Sequence, residues 1–183
     1  MPRILVSLIL FMTIGLNGCR LPIRETDNID GGVKTYNSGE NSPKVVESIE
    51  IVNFKCEFSL LTAVLDEESE LSGRIYTLDA QLDDENVKCK IDCYGRESSS
   101  VPKEFTADAS FMTSLQKIVS KYDFAQHNGY ESVVSGLPHM YGAKIDIKYS
   151  SGESIYAYDN QDCFLPFDAM KELITLFNIT EKE

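Results

Sequence analysis

Polar and apolar positions change rhythm several times along the chain. After an apolar run at positions 4–16 and a polar stretch, alternation begins near Val46, and in IVNFKCEFSL the residues Val52, Phe54, Cys56, Phe58 and Leu60 fall on one face. A period of two predicts a strand with one buried side. The loop DEESE follows, and then Ile75, Tyr76, Leu78, Ala80 and Leu82 predict a second strand. Asp83-Asp84-Glu85-Asn86 makes a polar turn, and Val87, Cys89, Ile91 and Cys93 mark a third strand. The short connections make the three runs a meander. After the loop GRESSSVP, the residues Phe111, Met112, Leu115, Ile118, Val119 and Tyr122 recur at helical spacing. Thr106 or Asp108 can cap that helix, and Gly129 stands where a helix exit commonly falls.

Residues 131–137 predict a short strand before Pro138. Ile145, Ile147 and Tyr149 alternate, Ser150-Ser151-Gly152-Glu153 supplies a turn, and Ile155 to Tyr158 returns, which is the clearest hairpin in the chain. Pro166 fits the first turn of a last helix, where Asp168 suits the dipole. Its apolar stripe is Phe167, Met170, Leu173, Ile174 and Phe177. No internal repeat is present. Strands in runs with two separate helices predict an α+β fold. The expectation is an antiparallel sheet of about five to six strands, a meander plus a C-terminal hairpin, with two helices packed on one face.

The N-terminal apolar run, ILVSLILFMTIGL, has 13 residues, against roughly 20 for a membrane-spanning helix. Arg3 is the only charge before residue 20, and a basic start, a short apolar run and a small-residue exit read as a signal peptide. The exit, Leu16-Asn17-Gly18-Cys19, resembles the bacterial lipobox, with Asn17 where a smaller residue is usual. That resemblance implies cleavage before Cys19, diacylglycerol on its thiol and often acylation of the new amino terminus. An ordinary signal peptide cut nearby is the plain alternative. The expected organisation is a signal peptide at 1–18, a lipidated cysteine and flexible tether at 19–44, and one globular domain at 45–183. The tether, RLPIRETDNIDGGVKTYNSGENSPK, is dominated by Gly, Asn, Ser, Pro and charge. As a flexible coil its 25 residues would hold the domain on the order of 25–30 Å from the anchor.

The formal charge is −12, and loss of residues 1–18 removes one positive charge, Arg3, leaving −13. Such a surface repels phosphate backbones and anionic headgroups. Nucleic acid is therefore excluded as a partner, and the expected location is the extracytoplasmic face of the bacterial cell membrane, held by lipid.

From about Val46 to Phe177 the chain resembles an uncharacterised family of lipoproteins from gut Firmicutes. The stretches that carry the resemblance are IVNFKCEFSLL, KYDFAQHNGY, VSGLP, YGAKIDIKYSSGESIYAYDNQ and the final helix. The resemblance implies the same domain limits and lipid anchor, and it transfers no catalytic residue.

Candidate chemistry is sparse. Cys56, Cys89, Cys93 and Cys163 remain after Cys19. Cys89 and Cys93 share a strand face roughly 13 Å apart, beyond the about 7 Å a disulfide tolerates. Cys56 could meet either across a sheet, leaving Cys163 for the other, or all four are reduced, small buried hydrophobes. No metal site is expected, because there is no Cys-x-x-Cys and the two histidines, His127 and His139, have no ligand spacing. His127 precedes Asn128-Gly129 and reads as decoration of a helix end. A cysteine hydrolase can be written as Cys163 with His139 and Asp162, but nothing around Cys163 matches a nucleophile signature. The clusters Asp66-Glu67-Glu68-Ser69-Glu70 and Asp83-Asp84-Glu85 lack the spaced oxygen ligands of a calcium loop and read as solvated turns. Asn178-Ile179-Thr180 fits a glycosylation sequon, of little meaning in a bacterial lipoprotein.

The aromatic content of the C-terminal third is more informative. Tyr156 and Tyr158 share one strand face, opposite Ile155 and Ala157. If Ile155 faces the helices, the tyrosines face outward, where flat rings with a hydroxyl can hold sugar or peptide. Cross-strand pairing that stiffens the hairpin is the competing reading. Two functions follow from these residues. One is a non-enzymatic surface module that binds an envelope protein, glycan or peptide through Tyr156 and Tyr158, with no catalytic residue and no cofactor. The other is a small cell-surface hydrolase using a cysteine or carboxylate site.

Overall fold

A computed structural model describes residues 25–29, 32–60, 74–95, 103–137 and 141–178 of the chain. The signal segment, Cys19, His139, the 66–70 acidic cluster and the last two sequon residues lie outside the described residues.

The fold is α+β, built on one sheet of nine strands. They are β1 (Glu25–Ile29), β2 (Gly32–Asn37), β3 (Ile51–Ser59), β4 (Arg74–Asp83), β5 (Asn86–Gly95), β6 (Lys103–Asp108), β7 (Glu131–Ser135), β8 (Ala143–Tyr149) and β9 (Ser154–Asp159). The helices are α1 (Ser110–Lys121) and α2 (Phe167–Asn178). The spatial order is β1-β2-β7-β9-β8-β3-β4-β5-β6. Every pairing is antiparallel except a two-residue parallel contact of β7 with β9, so the sheet is mixed.

The meander and the β8–β9 hairpin form where the period-two pattern predicts them. In β3, Phe54, Cys56 and Phe58 are buried on the helix-facing side. A bulge between Ile51 and Asn53 breaks the alternation, so Ile51 is buried at 2% exposure while Val52 is only half-buried. The core face continues through Tyr76, Leu78 and Ala80 on β4, Val87, Cys89 and Ile91 on β5, and Ile145, Ile147, Ile155 and Ala157 on the hairpin. Both helices lay their apolar stripes on that one face, α1 through Phe111, Met112, Leu115, Ile118 and Val119, and α2 through Ala169, Met170, Leu173, Ile174 and Phe177. Phe177 is the aromatic hub, with its ring centroid 5.1 Å from Phe111, 6.3 Å from Phe105 and 6.5 Å from Phe54.

The structure departs from the sequence-based expectations in four places. The sheet has nine strands instead of five to six. The additions to the six strands that the pattern places are β1, β2 and β6, none of which supplies a strongly apolar run. β2 has no buried residue, and its Val33 is 40% exposed. It is held by the backbone ladder to β7, which leaves no hydrophobic signature in the sequence. Second, Glu25–Ile29 and Gly32–Asn37, within the stretch expected to be a tether at 19–44, are paired into the sheet as β1 and β2, so the sheet takes in residues before 45. Third, Phe167 is 37% exposed and lies off the α2 stripe, and the carbonyl of Pro166 accepts the first helical bond from the Met170 N–H. Fourth, Gly129 does not end α1. That helix stops at Tyr122, Asp123 turns left-handed at φ 51°, and a 3-10 turn, Phe124–His127, precedes Gly129. The α1 N-cap is Ala109, with no side-chain cap bond; the Asp108 carboxylate only accepts the Ser110 N–H at 2.8 Å in the turn before it, and Thr106 lies within β6.

The parallel junction of β7 with β9 is closed by polar side chains. Asn160, 1% exposed, accepts the Val134 N–H and donates to the Val134 carbonyl, both at 2.9 Å, standing in for a neighbouring strand. Asp159, 4% exposed, accepts the Tyr130 hydroxyl and the N–H groups of Gln161 and Asp162. At this junction the buried side chains of Asp159 and Asn160 thus have partners, as burial demands.

Candidate functional site: the open face of the sheet

With both helices on one side, the other face of β3–β9 carries mainly polar side chains, while Ile75 and Ser59, in register with Tyr94 on that face, are buried at 3% exposure each. The ladder registers place them in rows across the sheet. One row runs Tyr156, Asp146, Lys55, Asp79, Lys90, Glu104, so its charges alternate in sign from Asp146 onward. Lys55 pairs with Asp79 at 3.0 Å and Lys90 with Glu104 at 3.4 Å. These are exposed pairs, each worth at most about 1 kcal/mol, but together they favour one strand register over a slipped one.

The neighbouring row runs Glu131, Tyr158, Lys144, Glu57, Thr77, Asp92. At its β8–β9 end the character of the face changes. Tyr156 is 39% exposed and Tyr158 half-buried, on the side opposite Ile155 and Ala157. The hairpin therefore turns its tyrosines outward. The Lys144 ammonium sits 6.0 Å from the Tyr156 ring centre and 5.9 Å from that of Tyr158, within cation–π range of both. Burial, then Glu131 and Asp146, push the Tyr156 hydroxyl up, and burial followed by Glu57 does the same for Tyr158. Both hydroxyls are consequently protonated near neutrality and can donate as well as accept. Tyr94 adds a further ring, 41% exposed on the same face of β5.

This corner can present two rings, two hydroxyls, an ammonium and the nearby Glu57 carboxylate to a polar ligand with some flat apolar surface. The sequence exposes Tyr156 and Tyr158 as a pair. Lys144 and Glu57 are not legible beside that pair, because they come from two other strands. Their only local signal is that each occupies the polar phase of its own alternation.

The other candidates are dispersed. The four described cysteines are free thiols. In register Cys56 faces Leu78, Cys89 faces Ala80 and Cys93 faces Tyr76, so thiols on adjacent strands do not oppose one another. Burial pushes the Cys89 thiol up to about 12 and raises Cys56 well above its ordinary value. Cys163 is half-buried, with its sulfur 3.5 Å from the Met170 sulfur, and burial raises its thiol too. An activated nucleophile needs the opposite shift. The Asp162 N–H is engaged with Asp159, and His139 lies outside the described residues. His127 ends the 3-10 turn, its ring 5.0 Å from that of Phe164, and burial followed by the Lys44 charge lowers its pKa. Asp83 is taken by Lys88 at 2.7 Å, and Asp84 turns the β4–β5 hairpin at φ 55°. Among the described residues no three metal-ligating side chains cluster.

No family model matches the chain, and no curated protein or solved structure is significantly similar to it. The class is that of an α+β domain whose sheet carries both helices on one face and a mainly polar row pattern on the other.

Proposed function

We propose that the protein is an extracytoplasmic lipoprotein, held at the bacterial cell membrane by lipid on Cys19, that works as a non-enzymatic binding module. Its attachment reading comes from Arg3, the 13-residue apolar run and the Leu16–Cys19 exit. Among the described residues no helix is long and apolar enough to cross a membrane. The observation that carries the binding role is the outward pair Tyr156 and Tyr158 flanking Lys144 on a rigid sheet. Tyrosine supplies contact area at low entropic cost, and the fixed hairpin removes most of the ordering penalty of binding. An envelope protein, glycan or peptide of mixed polar and flat apolar character suits this surface.

The test is the double variant Tyr156→Ser, Tyr158→Ser. Lost cross-strand contacts should cost about 1–2 kcal/mol, leaving the domain folded. Immobilised wild-type domain should retain a partner from envelope extract that the folded double variant does not. Equal retention of the same partner by both would remove the hairpin from the binding site.

A further inference from the structure

We propose that residues 25–29 and 32–50 form a latch that holds the domain close to the membrane, so that the tether from lipid to domain is no longer than the stretch from Cys19 to Glu25. The inference rests on the lipid-anchor reading above and adds to it where the domain sits. Three sets of contacts fasten the segment. β2 pairs with β7 through five register positions, Val33↔Ser135 to Asn37↔Glu131, and β1 folds back on β2 from Ile29↔Gly32 to Glu25↔Tyr36. Beyond β2, the Asn128 amide donates to the Pro43 carbonyl at 2.9 Å and the Lys44 ammonium donates to the Asn128 carbonyl at 2.6 Å. Farther on, the N–H groups of Glu47 and Ser48 each donate to a Glu153 carboxylate oxygen at 3.0 Å.

Two glycines show how closely this segment lies on the domain. A Cβ at Gly32 would fall 1.8 Å from the Ser135 carbonyl oxygen, and one at Gly39, which sits at φ +71°, would fall 2.6 Å from the Asn128 carbonyl oxygen. A free coil imposes no such requirement.

The six residue steps from Cys19 to Glu25 span at most about 20 Å when fully extended. Glu25 pairs with Tyr36, Tyr36 with Ser132, and Ser132 with Asp159, so the tyrosine corner on β9 lies three strand spacings from the exit point. At about 4.8 Å per spacing that adds about 14 Å. Tyr156 and Tyr158 therefore operate within roughly 35 Å of the lipidated cysteine, in the membrane-proximal layer.

The experiment uses the full lipidated chain in phosphatidylcholine vesicles, digested with trypsin and followed by mass. Arg20 and Arg24 precede the latch, and Lys34 lies inside β2. Cleavage after Arg20 or Arg24 should release the domain, with cleavage after Lys34 at least about tenfold slower, because a paired strand must open first. Gly32→Val should abolish that protection by forcing β2 away from Ser135. Cleavage of wild type at Lys34 as fast as at Arg24 overturns the latch. Protein that does not float with the vesicles and carries no acyl mass overturns the membrane placement through the anchor itself, and Lys34 protection is then still read in solution.

Discussion

Replacing Phe54 by alanine tests the packing of the whole helix-covered face. Phe54 is fully buried at 0% exposure. A buried phenylalanine removes about 150–250 Å² from water, and at about 25 cal/mol per Å² that is worth about 4–6 kcal/mol as an upper estimate. What decides the outcome is whether the hole can close. In register Phe54 lies between Ala80 on β4 and Ile147 on β8. Alanine has nothing to lean into the gap, and Ile147 is itself fixed at 0% exposure in the centre of the sheet. The facing Phe177 ring, 6.5 Å away, is held by Phe111 and Phe105. Little collapse is available, so Phe54→Ala should cost about 3–5 kcal/mol, in the upper part of the usual range. Urea unfolding of the chain lacking residues 1–19 measures it as a lower midpoint at unchanged slope. Lys55→Ala, on the open face of the same strand, should cost no more than about 1 kcal/mol. A Phe54→Ala loss below about 1 kcal/mol, or one equal to that of Lys55→Ala, would refute the assignment of faces.

Asn160→Ala should leave both the Val134 N–H and carbonyl unpaired in a buried site and cost about 2–4 kcal/mol, with hydrogen exchange rising in β7 before the β3–β5 meander. Glu153 is held below its usual carboxylate range by the Glu47 and Ser48 N–H groups and the Ser151 hydroxyl. Its contribution is therefore present above the ordinary glutamate pKa and is lost as pH falls through the lowered one. Acid unfolding of Glu153→Gln should show a weaker fall in stability at the acid end than wild type, and identical pH profiles would contradict the clamp. Cys19→Ala should abolish labelling by a clickable fatty acid, and equal labelling of mutant and wild type would refute lipidation there.

Sequence alone determined the elements that bury side chains. The helix spacing of Phe111 to Val119 and the alternation through Phe54, Leu78, Ile91 and Ile145 each record a single buried face, and a buried face writes its period into the chain. The phase of Tyr156 and Tyr158 followed from the same rule, since a strand residue beside Ile155 must point the other way. Tertiary structure alone decided what backbone pairing and distant neighbours control. β2 shows no apolar pattern because its ladder to β7 uses main-chain groups that every residue carries. The role of Asn160 as a substitute strand exists only once β7 lies beside it. Lys144 and Glu57 join the tyrosine corner through registers set across three strands, and the attachment of residues 32–50 depends on Asn128 and Glu153, about a hundred residues farther along the chain. Local periodicity reports burial, and it carries no record of which main-chain edge, or which remote side chain, a polar segment will meet.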